Sequence, residues 1–130
     1  MIAVKASITP AAALRAVLAR VPGEDQERIA QHGRGWAICH CRDGQANMRR
    51  RGVYAAVGVY QGGWLFHVES RQFARLSAAA RIGLLAHELG HAICFDGQGY
   101  GSEGDADDQA RQWGFGVELA ALYEEREARK

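Results

Sequence analysis

The chain has 130 residues, a formal charge of +1, 48% apolar residues and 24% charged ones. That length suits one hydrophobic core and leaves little room for a further binding module. The near-neutral balance gives no electrostatic case for nucleic acid, and no stretch approaches the roughly 20 apolar residues that a membrane helix needs.

Thr9-Pro10 is a helix start, a cap followed by proline in the first turn, and Ala11 to Val21 continue it until Pro22-Gly23. This alanine-rich opening carries Arg15 and has no cleavage-site pattern, so no export signal is expected. Glu24 to His32 predict a short second helix, ended by Gly33 and Gly35. Trp36 to Cys41 read as a strand and Asp43-Gly44 as a tight turn. Within that strand Cys39 and Cys41 share one face and His40 takes the other, so the three do not converge without a bend. Ordinary buried cysteines are expected, the alternative being a thiol that reaches the metal site described below. Three cysteines without an export signal suggest a reducing compartment, and the cytoplasm is the expected location. Arg49-Arg50-Arg51 is the only basic run and reads as a solvated loop or strand edge. Val53–Tyr60 and Trp64–Glu69 predict two strands joined at Gln61-Gly62-Gly63, a hairpin.

The chemistry begins with His87-Glu88-Leu89-Gly90-His91, an H-E-x-x-H pattern in a helix predicted from Ser77 to about Cys94. Positions i and i+4 lie one turn apart, so both imidazoles can reach one metal ion. Ile82, Leu85, Ala86, Leu89, Ala92 and Ile93 fall on one side of the helical wheel, with His87 and His91 nearly opposite. Glu88 projects beside them, where it can take a proton from a water activated by the ion. Gly90 lacks a Cβ, so another backbone can pass close to the helix there, the alternative being an ordinary surface glycine. Ser77 is a candidate N-cap, and Asp96-Gly97 with the glycines that follow stop the helix.

Two histidines hold zinc poorly, so a third protein ligand should follow. Gly101 to Ala110 is rich in carboxylates and leads into an apolar stripe, Ala106, Ala110, Trp113, Val117 and Ala120–Ala121, at helical spacing. A second helix with its first turn facing the metal is expected. Acidic residues at a helix start also suit the macrodipole, which accounts for Asp105, Asp107 and Asp108 without any metal, and for Glu103 less well.

H-E-L-G-H followed by Glu103-Gly104-Asp105-Ala106-Asp107-Asp108-Gln109-Ala110 resembles the gluzincin group of zinc metallopeptidases, and within it the small one-domain minigluzincins and the ImmA/IrrE-type peptidases. The resemblance covers about residues 64 to 114. It implies Zn²⁺ held by His87, His91 and Glu103, with Asp107 hydrogen-bonded to a ligand histidine. Only eleven residues separate His91 from Glu103, which is short for these families, and Gly104 weakens the helix at that point. Asp105 or Asp107 therefore remains an alternative third ligand. The resemblance also implies that Trp64–Glu69 is the edge strand beside the active-site helix, pairing with an extended substrate; the alternative is a central strand whose polar residues face solvent.

The expected fold is an α+β, zincin-like single domain spanning residues 1–130. A small twisted sheet packs on the active-site helix, and a C-terminal helix carries the third ligand. The expected function is zinc-dependent hydrolysis of a peptide or protein substrate, with Glu88 as general base and no nucleic-acid or membrane partner. Tyr54, Tyr60, His67, Tyr100 and Tyr123 are candidates for oxyanion stabilisation, with His67 and Tyr100 preferred for their expected nearness to the site. Two alternatives stand beside this. One is a latent or non-catalytic zinc-binding regulatory module, held by a C-terminal tail, Glu124–Lys130, that otherwise reads as a solvated helix end. The other is an amidase on a non-peptide substrate. No feature sets an oligomeric state.

Overall fold

Thr9 caps the first helix, α1 (Pro10–Leu18): its hydroxyl accepts the Ala12 N–H at 3.1 Å. The computed structural model describes residues 8–39 and 42–129. Helix α2 (Gly23–Ala30) and strand β1 (Trp36–Cys39) come next. His40 and Cys41, two of the three residues of the Cys39-His40-Cys41 run, lie outside the described residues. No turn stands at Asp43-Gly44, because helix α3 (Arg42–Arg50) runs through both. Tertiary contact favours the helix. The Gln45 amide donates to the Val68 carbonyl at 2.6 Å and accepts the Ser70 N–H at 2.7 Å, so α3 is tied to the far end of the hairpin.

The hairpin forms as expected, from β2 (Ala55–Tyr60) and β3 (Gly63–Val68) paired antiparallel. Gln61 and Gly62 both take positive φ, 51° and 77°, as the tight two-residue turn of a twisted hairpin requires. β1 adds in parallel to β3, with Trp36 beside Trp64 and Cys39 beside His67. The sheet order is therefore β1-β3-β2, and the strand expected at the edge, Trp64–Glu69, is central. The free edge nearer the histidine helix belongs to β2. Its residues pairing with β3 alternate, and the Glu69 N–H bond to the Tyr54 carbonyl sets the phase, so Ala55, Val57 and Val59 direct their backbone groups to the open side.

After the hairpin comes α4 (Ser70–Ala74), capped by Glu69. This carboxylate is not solvated. It is fully buried, accepting the Arg71 and Gln72 N–H groups at 3.0 and 3.1 Å and the Arg49 guanidinium at 3.3 Å. Arg49 is thereby an ion-pair partner rather than part of a solvated basic run.

Helix α5 (Ala78–Ile93) is the axis of the molecule, capped at Ser77 and ended at Cys94. Its apolar side joins Leu14, Val17, Trp64, Phe66 and Val68 in one core. Its other side is covered too, by α6 (Glu103–Gln112) and α7 (Gly116–Glu127), so His87 and His91 are buried between helices rather than on an open face. Two glycines seven residues apart admit these neighbours. A Cβ on Gly90 would lie 2.5 Å from the Ala106 carbonyl oxygen of α6, and one on Gly83 would strike the Glu118 carbonyl of α7. Each glycine costs about 1 kcal/mol of helix propensity, which the close approach of two buried helices offsets.

The apolar stripe does not run unbroken to Ala121. Gly114, at φ 93°, ends α6: its N–H bonds the Arg111 carbonyl, and the Phe115 N–H bonds that of Ala110. This paired pattern is the Schellman closure. The chain then restarts as α7 with Phe115, Leu119 and Leu122 in the core, leaving Val117 79% exposed and Ala120 on the surface. The helix that bears Glu103 is thus the penultimate one. Among the described residues the architecture is α+β, seven helices with a three-stranded mixed sheet, and no helix is long and apolar enough to cross a membrane.

Candidate metal centre

His87 and His91 stand one turn apart on α5, their rings 4.7 Å between centroids and perpendicular. Each Nδ1 has an acceptor. For His87 it is Asp107 Oδ1 at 2.7 Å, and for His91 the Tyr100 carbonyl oxygen at 2.8 Å. A carbonyl can only accept, and the Asp107 carboxylate does the same, so both Nδ1 atoms carry the proton in the neutral imidazoles. The Nε2 lone pairs are then turned inward. They meet one carboxylate, that of Glu103, whose oxygens lie 2.9 Å from His87 Nε2 and 3.0 Å from His91 Nε2. The donor atoms of these three groups all lie within 4.8 Å of one another, close enough for one cation to bridge them. His87, His91 and Glu103 can therefore hold a metal ion, and two imidazole nitrogens with one carboxylate fit a borderline divalent cation.

Local sequence explains why Glu103, rather than a neighbouring acid, faces the two Nε2 atoms. Ser102 caps α6 by accepting the Asp105 N–H at 3.0 Å, and Asp105 returns a carboxylate to the Ser102 N–H at 3.0 Å. This reciprocal box puts Glu103 at the first helical position and steadies the turn that Gly104 alone would loosen. It also commits Asp105, whose carboxyl is held below its usual range by the Ser102 bonds. Asp108 pairs with Arg111 on the surface. Asp107, one turn beyond Glu103, lies between His87 and Tyr123, whose hydroxyl donates to it at 2.7 Å. Burial and then Asp107 push the Tyr123 phenol well up, so it remains a donor.

Glu88 is buried beside the triad, its Oε2 3.9 Å from His87 Nε2. Burial first, then the Glu103 charge, raise its carboxyl well above the ordinary value, against an opposing pull from Arg126. These groups open onto a cleft of about 560 Å³, whose walls include Arg51, Tyr54 to Val57, Leu84, Tyr100 and Arg126.

Of the two preferred oxyanion candidates, the structure brings one to this cleft. Tyr100 lines it, stacked on Phe95 at 4.6 Å, with its hydroxyl accepting the Val59 N–H at 3.3 Å. His67 does not reach it. Alternation along β3 sends Trp64, Phe66 and Val68 into the core beside α5 and turns His67 to the other face of the sheet, against Tyr60. Cys39, on the strand at the far side of β3, lies outside the cleft as well. Sequence reasoning missed three contributors: the β2 edge, Tyr123 as the partner of Asp107, and Arg126. The last carried a readable signal. Leu119, Leu122 and Arg126 fall at helical i, i+3, i+7 spacing, so an arginine occupies a position in line with the core stripe.

No protein-family model matches the chain, and neither a curated protein nor a solved structure matches it.

Proposed function

We propose that the chain is a zinc-dependent metallopeptidase with a zincin-like, gluzincin-type site. His87, His91 and Glu103 hold the zinc, which when bound supplies a Lewis acid for the scissile carbonyl and lowers the pKa of the attacking water. The observation that carries the reading is the convergence of two inward Nε2 lone pairs and one carboxylate, with a fourth group, Glu88, beside them.

Asp107 and the Tyr100 carbonyl fix the tautomers that aim the Nε2 atoms inward. The Glu88 carboxylate takes the proton of the attacking water and delivers it to the leaving amine nitrogen. Burial raises the Glu88 carboxyl and so favours its protonated form, which suits a group that holds the proton between water and amine. The outward backbone groups of Ala55 and Val57 have no partner among the described residues and offer an extended peptide a strand to pair with.

Two measurements test this. Elemental analysis should find one zinc per chain in wild type and a large loss in Glu103→Ala. A peptide library or casein should be cleaved by wild type, while Glu88→Gln keeps zinc and loses cleavage. Stoichiometric zinc with no cleavage of any peptide would leave the regulatory reading. A chain that refuses zinc would remove both.

A further inference from the structure

The cleft is asymmetric along β2. At the carboxyl-terminal end of the strand the Tyr100 hydroxyl occupies the Val59 N–H, closing the free edge. At the opposite end stand two cations, Arg51 and Arg126. The Arg126 guanidinium lies over the Tyr54 ring, 4.7 Å from its centroid, in a half-buried position. Arg20 pairs with Glu118, Arg49 with Glu69 and Arg111 with Asp108, and buried Arg81 donates to three backbone carbonyls, but none of these faces the cleft. Neither Arg51 nor Arg126 has a carboxylate at ion-pair distance among the described residues. A guanidinium held flat by an aromatic ring, with its donors unspent, is pre-organised to take a carboxylate in two parallel bonds.

The geometry points to an anion subsite at Arg51 and Arg126 that selects substrates bearing a carboxylate on the carboxyl-terminal side of the bond to be cut. The polarity follows from strand pairing. Antiparallel ladders are somewhat more stable than parallel ones, and a peptide antiparallel to β2 runs its carboxyl-terminal side toward Tyr54 and the two arginines. The carboxylate can belong to an acidic side chain or to the peptide's own terminus, which share the same chemistry. This inference rests on the peptidase reading for its substrate, and its test does not depend on turnover.

Equilibrium binding is measured in the Glu88→Gln background with tetramethylrhodamine-labelled hexapeptides of three kinds. One carries an internal aspartate and an amidated end, one is neutral with a free carboxyl end, and one is neutral and amidated. The expected result is that one or both carboxylate peptides bind about tenfold tighter than the neutral amide, a preference that shrinks as salt rises from about 50 to 500 mM. Which of the two gains identifies the source of the charge. Arg126→Gln and Arg51→Gln should each lower the preference without changing affinity for the neutral amide, and Arg126→Lys should retain part of it. Equal binding of all three peptides overturns the subsite, as does a preference that survives both substitutions. If Arg126→Gln also loses the neutral peptide it has misfolded, and Arg51→Gln, at an exposed position, decides. Wild type that cleaves acidic and neutral peptides equally keeps the peptidase reading and ends this one. Carboxylate-selective binding without cleavage of either keeps the subsite and ends the peptidase.

Discussion

Gly90→Ala should damage the metal site more than the fold. The new Cβ would sit 2.5 Å from the Ala106 carbonyl oxygen, 3.0 Å from its Cα and 3.1 Å from its carbonyl carbon. These are backbone atoms of a helix and no side-chain rotation relieves them, so α6 must retreat by about 1 Å to restore ordinary contact. Two energies oppose each other. Alanine gains about 1 kcal/mol of helix propensity, and overpacking costs about 1–3 kcal/mol, so the net loss of stability is about 0–2 kcal/mol. The site is less forgiving. Glu103 and Asp107 flank Ala106 on the same helix, and a shift of that size breaks contacts now at 2.7 to 3.0 Å. Zinc affinity should fall by about 10- to 100-fold. Competition against a chromophoric chelator reads the affinity, and thermal unfolding of the metal-free protein reads the stability. Gly104→Ala is the control, because a Cβ there meets only the Ser102 hydroxyl, at 3.7 Å. A Gly90→Ala protein that binds zinc like wild type and is about 1 kcal/mol more stable would refute the close α5–α6 crossing.

Three further outcomes are expected. Glu88 has its folded-state pKa raised, so its contribution is favourable while protonated and is lost as pH rises through the folded value; metal-free Glu88→Gln should gain thermal stability over wild type as pH goes from about 4 to 8, and a constant difference would contradict the burial of an ionisable carboxyl. Tyr123→Phe removes a donor from Asp107 and should weaken zinc binding by about fivefold, equivalent to about 1 kcal/mol, with little change in metal-free stability; unchanged affinity would show that Asp107 needs no support. Saturating zinc should raise the unfolding temperature, with about 2.7 kcal/mol of stabilisation at a free concentration 100 times Kd, and should do so far less in Glu103→Ala. Deleting residues 124–130 is not a clean test of latency, because it removes Arg126 from the cleft and the Glu125 carboxylate that accepts the Ser77 N–H at 2.8 Å.

Much of the site was written locally. The cap at Ser77, the i and i+4 histidines and the Ser102–Asp105 box depend on residues within one or two turns, so their geometry follows from helical periodicity. The preference for Glu103 over the neighbouring aspartates rested instead on the resemblance and on the site's need for a third ligand, and only the box shows why Asp105 is committed elsewhere. The break at Gly114 was also local and was overlooked because the alanines beyond it kept a helical rhythm. The Asp43-Gly44 turn was expected from a pair that favours turns in isolation, and contacts far along the chain overrode it.

From residue order alone came the hairpin, the histidine helix with its ends and the pairing of its two histidines, because each is set by spacing within a short stretch of chain, whereas the approach of Glu103 needed the packing of α6 on α5. Which strand holds the free edge, where Arg126 and Tyr123 come to rest, and the burial of Glu69 were decided only by folding. Those outcomes depend on which distant surfaces exclude water together, and the periodicity of one segment carries no record of its partner.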